Sequence, residues 1–326
     1  MTKFRSPMSA DSVPGSPGVT VVVPFYNRAA YAARLLASIM GQTYAPSEVL
    51  FVDNGSSPDE VEALHEIIDA WRSESIAVRY IACERTGNAN FARNLGMQSA
   101  TTRYVAFLDS DDWWEPEHLS NSISSIESTG KAGVYSGSLI HSNGVYANES
   151  VDVATLASPF HLLFSSQGWS AQTSTYVVDM SKVGNFLWDE RLKRHQDFDF
   201  FLTIAFSTSG WAFNSKPSGH LERNDAGNGR NFDFKSMIRF LHKWRGQFPA
   251  ECLRPYLRTQ LDLCLIADAP DRYYRYYRAL YLRASQSSTM SHISSLPMVR
   301  QGRSVMIGVT KKLKIYAIIK KMKSKT

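Results

Sequence analysis

Three aspartates, Asp109, Asp111 and Asp112, directly follow an apolar run in the stretch YVAFLDSDDWWEP, residues 104–116. Carboxylates gathered at the end of a buried strand repel one another, and they are costly unless a cation or hydrogen-bond donors offset their charge. Mg²⁺ and Mn²⁺ prefer oxygen ligands of this kind. The cluster therefore predicts a divalent metal site. The alternative is a solvated turn in which Asp112 caps a helix.

Two further polar clusters follow apolar runs, PFYNR at 24–28 and DNGSS at 53–57. Ligands of parallel α/β sheets bind outside the carboxyl ends of the strands, so these clusters and the aspartates are expected to meet one ligand. Gly87 and Gly96, in GNANFARNLG, have the wrong spacing for a dinucleotide-binding or Walker A loop. The sequence therefore disfavours both of those nucleotide-binding classes.

The elements that must position these clusters alternate between short β-branched runs and helical periods. The pattern predicts strands at 19–24, 48–53, 76–82 and 103–109. It predicts helices between them at 29–40, from about 58, and at 89–99. This β-α-β order indicates an α/β fold with a mainly parallel sheet. Further strands are predicted near 134–140 and 173–178. A helix from Gln196 is predicted to bury Phe198, Phe201, Leu202 and Ala205.

The composition of the 326-residue chain, with 44% apolar residues, permits a substantial core. Its three cysteines are widely separated and favour a reducing compartment. Residues 1–18 lack the apolar region of a signal peptide, and no stretch approaches the roughly 18 apolar residues of a membrane span. We expect a cytoplasmic protein with a disordered leader at 1–18, an α/β domain at 19–230 and a helical extension at 231–326.

Basic charge is concentrated at the C-terminus. No acidic residue follows Asp271, but 13 basic residues do, whereas residues 1–271 contain 23 basic and 30 acidic residues, a net charge of −7. In the segment KKLKIYAIIKKMKSK, Leu313, Tyr316 and Ile319 form an apolar strip on a helical wheel, and the lysines lie largely outside it. This pattern predicts peripheral binding to an anionic membrane surface. The alternative is a solvated basic tail.

Four stretches, in this order, resemble the family 2 glycosyltransferases with a GT-A fold: VVVPFYN, VLFVDNGSS, NFARNLGMQSATTRYVAFLDSDDWWEP and RHQDFDFFL. The resemblance covers roughly residues 19–225, and its specificity lies in the combination of the motifs. It implies a Rossmann-like sheet, a nucleotide-sugar donor, a Mn²⁺ or Mg²⁺ ion, and transfer of the sugar to an acceptor hydroxyl with inversion.

Asp109, Ser110 and Asp111 match the D-x-D motif of this family. The resemblance implies that Asp111 holds the metal, and that Asp109 faces the ribose and metal-bound water, with Ser110 between them. The metal would in turn carry the donor diphosphate, which offsets the charge of the aspartates.

Four more positions match residues that bind the nucleotide in the family. Asp53 matches an aspartate that accepts from the N3–H of the base, which favours a UDP-sugar; the alternative is an Asx turn. Tyr26 matches an aromatic residue that stacks on the base, with Pro24 shaping the strand exit, and its alternative is a tyrosine that only caps the core. Arg93 matches a cation directed at diphosphate or uracil oxygens. Its alternative is an exposed helical arginine.

Asp197 matches the general base of the family. In the first turn of a helix its carboxylate would be kept ionised by the helix dipole, and it needs only to reach an acceptor hydroxyl. The alternative is a plain N-cap. The sequence departs from the family at Gln196, where a glutamate is usual. Asp199 lies two residues further along, so it is expected to point elsewhere.

His220 lies about where many GT-A enzymes supply a third metal ligand, and the alternative is a structural histidine. Trp113 and Trp114 either stack on an acceptor sugar or pack in the core.

The matches together imply an inverting, metal-dependent transferase that uses a glycan or lipid-linked acceptor, and the basic C-terminal segment predicts that it acts at the inner membrane face. The alternative of another class is a non-catalytic nucleotide-sugar- or glycan-binding protein of the same fold, against which the presence of Asp111 and Asp197 argues. Nucleic-acid binding through the basic tail lacks a recognisable module and would leave the aspartates unexplained, so no nucleic-acid partner is expected.

Overall fold

The computed structural model describes residues 18–71, 76–142, 144–164, 169–223 and 232–284. The chain divides into two compact units, the first formed by the residues up to Leu163 together with Gln167–Lys243, and the second by Phe164–Ser166 with the residues from Trp244 onward. The division therefore falls after Lys243, later than the boundary near residue 230 expected from the sequence.

The first unit opens with regular alternation of strands and helices. Its first seven elements are β1 (Val19–Phe25), α1 (Ala29–Met40), β2 (Glu48–Asn54), α2 (Pro58–Ala70), β3 (Ala77–Cys83), α3 (Ala89–Ser99) and β4 (Tyr104–Phe107). These bounds agree closely with those predicted. The agreement follows from local pattern: Leu35, Leu36 and Ile39 are buried at helical spacing on α1, and every residue of β1 and β2 is buried.

The elements after β4 are shorter and less regular. They are β5 (Trp113–Trp114), α4 (His118–Thr129), β6 (Gly133–His141), β7 (Val145–Asn148), α5 (Pro159–Phe164), β8 (Val177–Asp179), α6 (Met180–Val183), α7 (Gln196–Ser207), β9 (Trp211–Glu222) and α8 (Phe234–Trp244). The strand predicted at 173–178 is corrected. Thr173–Thr175 form a 3₁₀ turn, with the Thr175 hydroxyl donating to the Gln172 carbonyl, and the strand begins only at Val177.

One mixed sheet of nine strands runs through the described part of this unit, in the order β3-β2-β1-β4-β8-β6-β9-β5, with β7 paired to β6. All pairings within the group β1 to β4 are parallel, and β6 is parallel to β9. The antiparallel strand β8 joins these two parallel parts. The expected mainly parallel sheet is thus confirmed, with β5, β7 and β8 as antiparallel additions.

Helix α8 belongs to the first unit because its residues contact the segment leading into α7. The Ser236 hydroxyl accepts from the backbone N–H of Lys193 at 2.8 Å, and the Lys243 ammonium lies 2.8 Å from the Asp199 carboxylate. The ring of Phe240 packs edge-on against His195. These contacts explain why the first unit extends past residue 230.

The second unit contains α9 (Ala250–Ile266) and α10 (Asp271–Ala284), so the helical character expected of the C-terminal part is confirmed. Cys252, Tyr256 and Leu261 of α9 are buried, as are Tyr274 and Tyr277 of α10. No helix among the described residues has the length and apolarity needed to cross a membrane. The basic segment predicted to bind membranes lies beyond residue 284, outside the described residues.

Candidate active site

The carboxyl ends of β1, β2 and β4 meet at one edge of the sheet. Phe25 at the end of β1 is in register with Asp53 of β2, and Val22 pairs with Phe107 of β4. The loops that follow these strands are also hydrogen-bonded to one another, since the backbone N–H of Asn27 donates to the Ser56 hydroxyl at 2.9 Å. The three polar clusters therefore lie at the same sheet edge, as expected.

The aspartates after β4 have different partners. The Asp109 carboxylate accepts from Arg93 at 2.6 Å, and the Asp111 carboxylate from Arg28 at 2.6 Å. Burial and the charge of Asp109 raise the pKa of Asp111, and Arg28 opposes this shift. Two carboxylates that repel each other favour a bound cation, because the cation offsets their negative charge.

Asp112 is buried and serves the structure of the loop. Its carboxylate accepts from the Ser174 hydroxyl at 2.5 Å and from the backbone N–H of Glu222 at 3.0 Å, and burial raises its pKa well above the ordinary value, helped by the charges of Asp109 and Asp111. Helix α4 starts only at His118. The alternative in which Asp112 caps a helix in a solvated turn is therefore wrong.

Arg93 is only 3% exposed, so the alternative of an exposed helical arginine is wrong. Besides Asp109, its guanidinium donates to the Asn90 side chain at 3.2 Å, and it lies 4.7 Å from the centre of the Trp188 ring. The side chains of neighbouring Asn90 and Asn94 donate to the backbone carbonyls of Leu192 and Trp188. Helix α3 is thereby fastened to the segment that leads into α7.

Asp197 lies in the first turn of α7, whose N-cap residue is His195, so Asp197 is not the N-cap. Among the described residues its carboxylate forms no ion pair. Burial raises the pKa of Asp197, and Arg93 is among the groups that oppose the shift. The expectation that the first turn of α7 keeps Asp197 ionised stays a prediction, because backbone N–H groups and nearby arginines oppose the effect of burial on its pKa. Asp199 is paired with Lys243 and points away, as expected.

A cavity of about 350 Å³ brings the main candidates together. It is lined by Asp109, Asp111 and Arg93, and also by Asp197 and Gln196. Its remaining lining residues are Asp112, Gln172, Thr173, Ser174, Lys193, Arg194, His195, Phe198, Leu221, Glu222 and Arg223. The D-x-D carboxylates and the candidate base therefore share one solvent-accessible space.

Several predicted nucleotide-binding residues lie outside this cavity. Asp53 is buried and accepts from the Ser56 backbone and hydroxyl and from the Tyr80 hydroxyl at 2.8 Å, so the Asx-turn alternative describes its present contacts. Tyr26 is 39% exposed, and the Arg85 guanidinium lies 3.7 Å from the centre of its ring. Pro24 lies in the buried β1 strand. Ser110 is half-buried beside the cavity.

His220 is held away from the D-x-D carboxylates. One ring nitrogen lies 2.7 Å from the Glu115 carboxylate, the other 2.9 Å from His141, and the ring stacks on Trp113. His220 is absent from the residues that line the cavity. Glu222, two residues further along β9, does line it. The structure therefore does not bring His220 together with Asp109 and Asp111.

The residues present fit a Mg²⁺ or Mn²⁺ ion that a substrate helps to hold. Asp109 and Asp111 supply the oxygen ligands that these ions prefer, on one wall of an open cavity. Among the described residues, no group of three or more histidines, cysteines, aspartates or glutamates is placed to bind a metal. Two carboxylates with the remaining ligands from phosphates and water match the usual coordination of magnesium in such sites.

Sequence reasoning missed the cationic residues of the cavity. Lys193 directly precedes the RHQDFDFFL motif and Arg194 is its first residue, and their positive charge beside Asp197 was the available signal. Arg223 follows β9 and reaches the cavity only because β9 pairs with β6. Arg28, the partner of Asp111, lies in the PFYNR stretch, where the family resemblance assigns it no role.

Comparison with known proteins gives a family. The family model for glycosyl transferase family 2 matches residues 20–183, which is half of the chain. The amylovoran biosynthesis glycosyltransferase AmsB of Erwinia amylovora is 31% identical over 201 residues, covering 60% of this chain and 65% of AmsB. The match thus spans less than two thirds of that relative.

Solved structures share the fold. The 1–349 fragment of S. aureus TarS in complex with UDP-GlcNAc superposes with a TM-score of 0.57 and 18% identity, covering 87% of this chain and 92% of that one. The mannosyltransferase PcManGT from Pyrobaculum calidifontis, in complex with GDP-Man and Mn²⁺, gives a TM-score of 0.50 and 17% identity, covering 94% and 81%.

Proposed function

The chain belongs to the family 2 glycosyltransferases and has their GT-A fold, and on this premise we propose that it transfers a sugar from a nucleotide-sugar to an acceptor hydroxyl with inversion. The donor is a UDP-sugar, and the acceptor is a glycan or a lipid-linked saccharide. Asp197 is the general base, and Asp109 and Asp111 hold a Mn²⁺ or Mg²⁺ ion.

The observation that carries this proposal is the shared cavity. It places two carboxylates suited to a metal and one carboxylate without an ion pair, Asp197, around the same space of about 350 Å³. A metal-bound donor diphosphate and an acceptor hydroxyl must lie next to each other for direct displacement. A protein that only bound a nucleotide-sugar would have no need of a separate carboxylate facing that space.

The chemistry assigned to Asp197 is removal of the proton from the acceptor hydroxyl. As the hydroxyl oxygen attacks the anomeric carbon from the face opposite the diphosphate, the bond from that carbon to the phosphate oxygen breaks. An α-linked donor then gives a β-linked product, and Asp197 retains the proton. The raised pKa of Asp197 suits this role, because a base is most effective when its pKa lies nearer the working pH.

The donor side depends on Arg93, Asp109 and Asp111. A bound divalent ion would offset the negative charge that develops on the departing nucleoside diphosphate. Arg93 fixes the direction of the Asp109 carboxylate through their 2.6 Å contact. A buried arginine can do this without loss of charge, because it stays protonated.

The choice of UDP rests on Asp53, Tyr26 and the comparisons. Asp53 would accept from the base after its contact with Tyr80 rearranges, and Tyr26, with Pro24 before it, offers a ring at the exit of β1. TarS was crystallised with UDP-GlcNAc, whereas PcManGT was crystallised with GDP-Man, so the fold alone does not select the base. His220 remains proposed as a further metal residue only if its contact with Glu115 opens.

The acceptor assignment rests on AmsB, whose name places it in amylovoran biosynthesis. By analogy we assign this chain to polysaccharide assembly, with an acceptor presented at an anionic membrane surface. The basic residues after Asp271 would provide the attachment to that surface.

The test is a panel of UDP-sugars, GDP-mannose and dTDP-glucose, incubated with the full chain and Mn²⁺ or Mg²⁺, with the released nucleotide identified by chromatography. We expect UDP release from one donor, abolished by a metal chelator. UDP binding without release from any donor, in the presence of a membrane extract as acceptor source, would favour the non-catalytic alternative.

A further inference from the structure

Three of the acidic residues that line the active-site cavity form ion pairs with arginines. The Asp112 carboxylate instead accepts hydrogen bonds from the Ser174 hydroxyl and the backbone N–H of Glu222. The ion pairs are Asp109 with Arg93 at 2.6 Å, Asp111 with Arg28 at 2.6 Å, and Glu222 with Arg34 at 3.0 Å. Among the described residues that line this cavity, the carboxylates without an ion pair are those of Asp112 and Asp197.

Three further cations line the same cavity, and none of them forms an ion pair with a described residue: Lys193, Arg194 and Arg223. Their backbones are fixed, since the N–H of Lys193 donates to Ser236 and the N–H of Arg223 donates to the His141 carbonyl at 2.9 Å. The Nε atom of Arg194 is buried and has no hydrogen-bond partner. The cavity therefore carries a local excess of positive charge around Asp197.

A bound donor would not remove this excess. Its diphosphate carries two negative charges, which a divalent ion held by Asp109 and Asp111 already balances. Lys193, Arg194 and Arg223 would still face the space in front of Asp197. Cationic groups in a concave, partly desolvated site attract anions and are unfavourable if a ligand covers them without pairing them.

We propose that the acceptor carries an anionic group, a carboxylate or a phosphate ester, close to the hydroxyl that Asp197 deprotonates, and that Lys193, Arg194 and Arg223 bind it. This inference rests on the proposed transferase function and specifies its acceptor class. A site built to pair a charged group discriminates strongly against a ligand that lacks the group, because its own polar atoms are then left unpaired. The three cations thus select acidic saccharides over neutral ones.

The test measures binding of three small probes to the full chain saturated with UDP and Mn²⁺. The probes are methyl glucuronoside, glucose 6-phosphate and methyl glucoside, and their affinities are measured by saturation-transfer NMR titration. We expect at least one anionic probe to bind about tenfold or more tightly than the neutral glucoside, at low ionic strength. The anionic probe that binds more tightly shows whether the anionic group of the acceptor is a carboxylate or a phosphate.

The variants Arg194→Gln and Lys193→Gln/Arg223→Gln should each lose most of this preference, by about tenfold, while their affinity for UDP with Mn²⁺ stays within about twofold of the wild type. Arg191→Gln is the matched control, because Arg191 is exposed, pairs with Asp189 at 2.8 Å and lies outside the cavity lining. Circular dichroism and melting temperature verify that each variant is folded.

Equal affinity for anionic and neutral probes would overturn the inference. A parallel loss of UDP affinity in the cation variants would also overturn it, because the cations would then serve the donor diphosphate. The outcome is separable from the proposed function, since the binding measurement needs no sugar transfer. A protein that binds acidic probes but releases no nucleotide from any donor refutes the transferase, whereas an active transferase without anion preference refutes only the acceptor class.

Discussion

Arg93 illustrates how one buried side chain links both halves of the reaction at the residue scale. It is in contact with Asp109 and also acts electrostatically on Asp197, whose pKa it holds down against the effect of burial. Its position on α3 is fixed by the Asn94 side chain, which donates to the Trp188 carbonyl at 3.0 Å. The geometry of Asp109, the proposed metal-binding residue, and the pKa of Asp197, the proposed base, therefore depend on the same arginine.

Asp197→Asn is expected to reduce kcat by about 10² to 10⁴, because the amide cannot accept the acceptor proton, while UDP affinity stays nearly unchanged. In the wild type, activity should fall as the pH falls through the raised pKa of Asp197, since the base must be ionised; the fall therefore begins at a higher pH than for an ordinary aspartate. Steady-state rates across pH measure both effects.

The control for this variant is Asp199→Asn on the same helix, since Asp199 is paired with Lys243 and lies outside the cavity. Asp199→Asn should lower stability and leave turnover per folded molecule close to that of the wild type. Near wild-type kcat in Asp197→Asn would move the base elsewhere.

Asp111→Ala and Asp109→Ala are expected to abolish metal-dependent donor binding, because they remove the carboxylates that face the cavity. Calorimetry with UDP in Mn²⁺ should show strong loss of affinity in both variants. Asp59→Ala, an acidic position on α2 outside the cavity, is the matched control. Unchanged affinity in both D-x-D variants would remove the metal assignment.

At the scale of elements, close packing of α3 on β1 positions Arg93. Gly96 of α3 lies so near β1 that a Cβ atom there would be 2.3 Å from a methyl carbon of Val22. A side chain at this position must push the helix away from the sheet. The NFARNLG stretch of α3 therefore contains both Arg93, which donates to Asp109, and Gly96, which allows the helix to pack closely on β1.

Gly96→Ala is expected to lower the free energy of unfolding by about 1–3 kcal/mol, because overpacking outweighs the better helix propensity of alanine. Urea denaturation measures the change. Gly246→Ala is the matched control, since a Cβ atom at Gly246 would have no atom within 4 Å. Equal stability of Gly96→Ala and the wild type would show that α3 can move without cost.

Local pattern predicted the first seven elements, because each carries its own periodicity and the strands β1, β2 and β4 are buried along their whole length. It failed near Thr173, where hydroxyl-to-backbone bonds make a turn inside an apparently strand-like run. The motifs singled out Asp109 and Asp197, which the structure places in the lining of one cavity, and their roles stay predictions. Arg223 could not be predicted, since its approach depends on the pairing of β9 with β6, strands far apart in the chain.

The whole molecule has a strongly uneven distribution of charge. Residues 1–271 have a net charge of −7, whereas the 13 basic residues that follow have no acidic residue among them. An acidic catalytic part would be repelled by an anionic membrane, so any attachment to such a surface must come from the basic segment. Truncation of the basic segment is therefore expected to abolish membrane attachment without abolishing catalysis.

Truncation after Gly308, which removes seven lysines, is expected to abolish sedimentation of the protein with phosphatidylglycerol vesicles at low salt. Each base near an anionic surface contributes about 1 kcal/mol, so even a few bound lysines hold the full chain there. Binding of the full chain should weaken at high salt, because ions screen the attraction. Neutral phosphatidylcholine vesicles are the control. Equal sedimentation of both forms, or none at any salt, contradicts the membrane assignment, whereas UDP release by the truncated form should persist.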